Sequence, residues 1–193
     1  MKRMFTTYFY KGNKDYLNTQ KKYEIMRTIL YFAISLSLFI AGLVATKTRM
    51  NLLTIVAVLG CLPACKSVVG MIMHLKFNSI SKEDAAKITA NLGSLEGLYD
   101  MVFTSYDKNY QVDHLVLKDR TLCGYSSHEK TQEKLCQEHL EKMLLTSGHK
   151  GVSVKIFKNL SKYTERLRQL DQLEQDDADF REAVYATLKS ISL

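Results

Sequence analysis

Residues 28–46, Thr-Ile-Leu-Tyr-Phe-Ala-Ile-Ser-Leu-Ser-Leu-Phe-Ile-Ala-Gly-Leu-Val-Ala-Thr, carry no charge across 19 positions and lie between Arg27 and Lys47. As a helix this stretch is roughly 28 Å long, close to the thickness of a hydrocarbon core. The buried core helices of soluble domains are usually shorter. The stretch therefore predicts a transmembrane helix. A cleaved signal is a poor reading, because about 27 residues with two acids precede the run and no small-x-small site ends it.

Outward toward the C-terminus, Lys47-Thr48-Arg49 makes a very short connection, and a second apolar run begins at Met50. Lys66 interrupts this run, which then continues through Ser67–Phe77. The pair predicts a helical hairpin over 28–77, with spans at 28–46 and 50–75. Pro63 lacks the N–H that would reach the Leu59 carbonyl, so a kink is expected there. Lys66 is expected near the end of the span, where its stem can snorkel toward headgroups. Cys61 and Cys65 share a helix face at i, i+4. They could ligate a soft metal or carry a lipid, but packing is the plainer expectation.

Outward toward the N-terminus lies a basic, aromatic leader, residues 1–27. Residues 1–79 hold 11 Lys/Arg and two acids, whereas residues 80–193 hold 16 Lys/Arg and 18 Asp/Glu. The leader offers seven Lys/Arg against Lys47 and Arg49 in the connection. Lys/Arg excess marks the cytoplasmic side, so both termini are expected there, in a multi-pass protein of the cell membrane. Arg27, Lys47, Arg49 and Lys66 are the expected membrane-interface residues. The expected partners are the lipid bilayer, anionic headgroups at the leader, and a protein partner or a second copy of the chain. Nucleic acid is not expected, because the rear segment lacks a cationic excess.

Residues 80–193 read as an α/β (α+β) domain. Ser81 is a candidate N-cap with acids in the following turn. Leu98–Asp107, Tyr110–Leu117 and Arg120–Ser126 read as a three-stranded antiparallel meander. In the middle strand, Val112, His114 and Val116 alternate against Asp113, Leu115 and Leu117. Ser126 and Glu129 have the spacing of a capping box for the next helix, whose apolar stripe includes Cys136, Leu140 and Leu144. Gly148 closes that helix. Gly151–Phe157 is a fourth strand, and two helices follow, separated by a break at Gln175–Asp177. Leu160–Leu173 could pair as a short coiled coil, but two heptads favour packing on the domain's own sheet. The expected order is α-β-β-β-α-β-α-α around a mixed four-stranded sheet.

The segment from Val112 to Ser127, VDHLVLKDRTLCGYSS, resembles the second and third strands of the PD-(D/E)xK nuclease-like superfamily, including its nuclease-related domain branch. The resemblance covers roughly Ser81–Phe157. It implies a metal-binding acid on the second strand, followed about ten residues later by Glu-x-Lys on the third. Asp113 matches the first acid. Cys123-Gly124-Tyr125 stands where Glu-x-Lys would be, and hard divalent ions need oxygen ligands. The resemblance thus implies a degenerate, non-catalytic relative, with Asp113 as the one catalytic candidate.

Cys123, His128, Cys136 and His139 have ligand types that suit zinc, but their spacing matches no common zinc knuckle. No phosphate-binding glycine loop or nucleophile elbow occurs. No metal or cofactor is expected. The reading is a membrane-anchored cytoplasmic interaction or scaffold protein without a complete catalytic site. The alternative is a nuclease-like hydrolase.

Overall fold

The computed structural model describes residues 10–48, 51–173 and 177–193. The chain divides into two units. Leu17–Asn78 falls in one, and Ser79–Leu193 joins the described residues 10–16 in the other.

The first unit is a helical hairpin. Helix α1 spans Tyr16–Thr46 and helix α2 spans Leu52–Leu75. At 1.5 Å per residue they are roughly 46 and 36 Å long, and both are long and apolar enough to cross a membrane. Helix α1 starts twelve residues before the uncharged run, so Arg27 lies within the helix, directly before that run. The turn between the helices is built by Asn51, whose side chain accepts from Thr54 N–H and donates to the Thr46 hydroxyl and the Thr48 carbonyl. Lys47 takes a left-handed φ of 55° there. Arg49 lies outside the described residues. Helix α2 runs unbroken through Pro63 and past Lys66 to Leu75, so neither residue ends it.

The two helices meet along small residues. Ala57, Ala64 and Ser67 of α2 are buried, and Gly60 continues their stripe at spacings of three and four. A Cβ on Gly60 would lie 2.8 Å from Ser35 Oγ on α1. Gly42 faces Asn51 and Leu53 in the same close manner near the turn. Small residues at these points set how near the backbones come.

The second unit holds the sheet. Its elements are α3 (Lys82–Ala90), β1 (Gly97–Thr104), β2 (Asn109–Lys118), β3 (Thr121–Tyr125), α4 (Glu133–Thr146), β4 (Ser153–Phe157), α5 (Leu160–Asp171) and α6 (Ala178–Ile191). The strand order is β1-β2-β3-β4, with the first two pairings antiparallel and the last parallel. The expected α+β class, mixed sheet and element order are all present. Ser81 caps α3 by accepting from Asp84 N–H, and Asp177 caps α6 by accepting from Phe180 N–H. Gly148, at φ 92°, follows the end of α4.

One sheet face packs under α4 and α6 around Leu115, Leu117, Leu122, Leu140 and Leu188. The other packs under α3 and α5 around Ile88, Val116, Tyr163, Leu167 and Leu170. The expected alternation in β2 holds only in part. Val112 shares a core with Leu115 and Leu117, not with Val116. The same change of parity occurs in β1, between Leu98 and Met101. It falls at Asp100, whose φ of 55° lies in the left-handed region, and Asp100 and Asp113 are the facing positions skipped in the ladder. A local backbone inversion reassigns side chains to faces without changing the register.

Strand β1 is an edge, and both ends of the described chain close it. Tyr99 N–H donates to the Gly12 carbonyl, and Leu193 N–H donates to the Val102 carbonyl. Lys11 Nζ bridges the two ends by donating to the carbonyls of Lys189 and Ser192. Residues 10–16, expected as part of a surface leader, are thus part of the folded domain.

Candidate functional site

Asp113 sits on β2 and is completely buried. Its Oδ2 accepts from Ser127 N–H at 2.7 Å and Ser127 Oγ–H at 2.6 Å, and its Oδ1 lies 3.0 Å from His128 Nε2. Serine, histidine and aspartate therefore meet, but in the wrong order for nucleophile activation. Such a site needs the hydroxyl on the imidazole and the carboxylate behind it. Here both residues point at the carboxylate. The result is an anchored loop. Ser126 Oγ–H and Thr131 Oγ1–H both donate to the Gln111 carbonyl, fixing the same loop to β2.

This anchoring explains why the expected capping box is absent. Ser126 is spent on Gln111 and Glu129 precedes the helix. Helix α4 begins at Glu133, after Gln132, which makes no side-chain cap bond.

The four soft-ligand candidates do not converge. Cys123, on β3, lies in the core beneath α5, and Cys136, on α4, faces the core on the opposite side of the sheet. Burial pushes the Cys136 thiol up to about 12. It also pushes Cys123 up, against the opposing pull of Arg166 and Lys155. His128 is engaged with Asp113, and the His139 ring packs 5.5 Å from that of Tyr110. Among the described residues, no group of three or more His, Cys, Asp or Glu is arranged to hold a metal ion.

Three arrangements escaped the sequence reading. The first is His114, completely buried on β2, whose Nδ1 lies 2.6 Å from the Tyr163 hydroxyl. Its Nε2 has no hydrogen-bond partner. Gly97 permits this placement, since a Cβ there would lie 2.3 Å from His114 Nε2. Burial first, and the Lys14 charge second, depress this imidazole to about 3, so it is neutral. Tyr163 comes from α5, 49 residues away, and no local pattern announces it.

The second is a polar seam in the hairpin. Glu24, 3% exposed, pairs with Arg27 and accepts from Gln20 Nε2 at 3.0 Å. Thr28 and Ser67 share a hydrogen bond at 2.8 Å, and Arg27 Nε reaches Ser67 Oγ at 3.5 Å. Gln20, Glu24 and Thr28 recur every four residues, with Ser35 seven further on. That period was the available signal.

The third is a groove between edge strand β4 and helix α5. It encloses about 350 Å³ and is lined by Lys155, Phe157, Lys162, Glu165, Arg166 and Gln169. Three cations face one acid.

No family model, curated protein or solved structure matches the chain.

Proposed function

We propose that the chain is a membrane-anchored interaction protein, with the hairpin spanning the cell membrane and both termini in the cytoplasm. One observation carries the anchoring. The hairpin is apolar outside and small or polar inside. Ile29, Val44, Leu52 and Leu62 are 63, 71, 76 and 68% exposed, whereas Ala64 and Gln20 are fully buried. A helix pair in water buries its large apolar side chains and exposes its polar ones. The reverse arrangement suits lipid, where close approach of small residues and internal hydrogen bonds drive helix association. An extension of α1 by about three turns before Arg27 carries Lys21 and Lys22 beyond a 20-residue span. Lys66 is nearly level with Thr28, the partner of neighbouring Ser67, which supports a position at the same rim. The Lys/Arg excess at that end sets the cytoplasmic orientation.

The interaction role follows from the state of the candidate site. The Asp113 carboxylate already accepts three donors in a closed loop, and the cysteines serve two separate cores. A second reading, a degenerate nuclease-like domain, is favoured by the α-β-β-β-α-β order with its parallel fourth strand.

The test is a pair of reporter fusions, one after Leu193 and one in the turn at Thr48. The expected outcome is a cytoplasmic C-terminus and an external turn. An external C-terminus overturns the topology. For the second reading, metal-dependent cleavage of DNA or RNA by the purified protein, abolished by Asp113→Ala, would replace the interaction role with an enzymatic one.

A further inference from the structure

We propose that the groove between β4 and α5 binds a phosphate monoester, carried by a small molecule or by a lipid headgroup. This goes beyond the interaction role and depends on neither the anchoring nor the topology.

The argument begins with charge that the fold leaves unmatched. Lys162 and Arg166 stand four apart on one face of α5, where like charges repel. Lys155 joins them from β4 across the groove. Among the described residues none of the three has a carboxylate ion-pair partner, whereas Arg27 and Arg181 each have one. Glu165 lines the same groove but pairs with none of them. Side chains alone build the site, since Val154 and Ile156, which alternate with the lining residues of β4, are buried.

Arg166 is the centre of this arrangement. It is half-buried, and its Nη1 donates to Gln169 Oε1 at 3.0 Å, which holds the guanidinium without cancelling its charge. It also stands close enough to the buried Cys123 thiol to pull on its ionisation. A cation taken partly out of water and left unpaired is costly, and an anion in the groove removes that cost. Lys155 and Lys162 are exposed and add two positive charges at the mouth. The set fits a phosphate dianion: a planar fork that can bond two oxygens at once, and two ammonium groups as point charges. Phe157, half-buried, supplies an apolar wall for the carbon skeleton that bears the phosphate. Lys155 Nζ lies 5.5 Å from the centre of that ring, so the charge and the apolar wall adjoin. A void of about 350 Å³ is at the small end of ligand sites, which suits one compact phosphorylated group.

The test uses the full chain in neutral detergent micelles and phenyl phosphate, with binding read by isothermal titration calorimetry. Binding is expected, and it should weaken as salt rises. Phenyl phosphate loses its second charge near pH 6, so affinity should fall severalfold between about pH 7.5 and 5. Phenyl sulfate, which carries one charge throughout, should bind more weakly than phenyl phosphate at the higher pH. Lys155→Gln and Lys162→Gln, both at exposed positions, should each weaken binding about two- to fivefold. Arg166→Gln should weaken it about tenfold, and Arg166→Lys should recover only part, because the fork is lost. Glu165→Gln removes the opposing charge and should tighten binding. The exposed lysine variants keep the test decisive if Arg166→Gln fails to fold. No binding, equal affinity for phenyl sulfate at the higher pH, or unchanged affinity in both lysine variants would overturn the proposal. Micelles doped with phosphatidylinositol monophosphate separate the two sources. Displacement of phenyl phosphate by them assigns the site to a lipid headgroup, and no displacement assigns it to a free compound. Equal displacement by phosphatidylserine, which has no monoester, would mark a general anionic-surface patch and overturn the proposal.

Discussion

Replacing Asp113 separates a structural carboxylate from a catalytic one, because the two roles predict opposite effects on stability. In Asp113→Ala the Ser127 N–H, the Ser127 hydroxyl and the His128 imidazole all lose their acceptor. The His128 side chain is about one-third exposed and can turn to water. Ser127 is itself exposed, so its two donors can turn to water, and each lost bond to the buried carboxylate costs about 1–2 kcal/mol. The expected loss is therefore about 2–4 kcal/mol. For a domain of this size that lowers the melting temperature by roughly 6–15 °C. Asp113→Asn keeps an acceptor oxygen of the same reach, so about half the loss is expected. The protein has no tryptophan but 11 tyrosines, so near-ultraviolet circular dichroism of the full chain in micelles reports the transition. Hydrogen exchange at Ser127 should accelerate in step. A strained catalytic carboxylate behaves differently, since its removal leaves stability unchanged or raises it. An Asp113→Ala protein that melts at or above the parent temperature would refute the anchoring argument.

Three further outcomes follow from the same geometry. His114 is neutral in the fold, with its ionisation depressed to about 3, whereas in the unfolded chain it takes up a proton near 6.5. The unfolded state thus binds more protons below 6.5, and the domain should lose about 1.4 kcal/mol per pH unit from there downward, a slope that flattens in His114→Phe when unfolding is measured between pH 7 and 4. Gly60→Ala should push the hairpin apart, because its Cβ meets Ser35 Oγ at 2.8 Å; adding Ser35→Ala should restore much of the stability in a double-mutant cycle in mixed micelles. Glu24→Gln leaves Arg27 without its buried partner and should destabilise the hairpin by about 3–5 kcal/mol, whereas the pair Glu24→Gln with Arg27→Met should lose much less in the same assay.

Much of the architecture was legible because it rests on local chemistry. The apolar runs, the caps at Ser81 and Asp177 and the stop at Gly148 each act within a few residues. The faces of β2 were misread because alternation assumes a continuous pleat, and the inversion at Asp100 breaks it from the neighbouring strand. The start of α4 was misread because Ser126 binds Gln111, a partner on β2, in preference to its own helix. Arg27 was legible as a charge beside an apolar run, but its contact with Ser67 was not, because a window of hydropathy sees the end of a run and not the partner helix. Cys123 and Cys136 lie in cores on opposite faces of the sheet, a separation that spacing in sequence does not encode. His114 was visible only as one bracketed residue in an alternating strand, since its phenolic partner lies on a distant helix.

The closure of β1 also has a timetable. Lys11 grips carbonyls 178 and 181 residues further along the chain, and the last ladder partner of β1 is residue 193. Synthesis from the end of β1 to that residue takes roughly 5–20 s at typical elongation rates. The hairpin is made earlier, and β1, though paired with β2, keeps an open edge until then. Neighbouring ribosomes on one message hold identical strands at staggered stages. In that interval the 189–193 segment of a completed sister chain competes with self-closure, and slow codons between β1 and α6 would lengthen it.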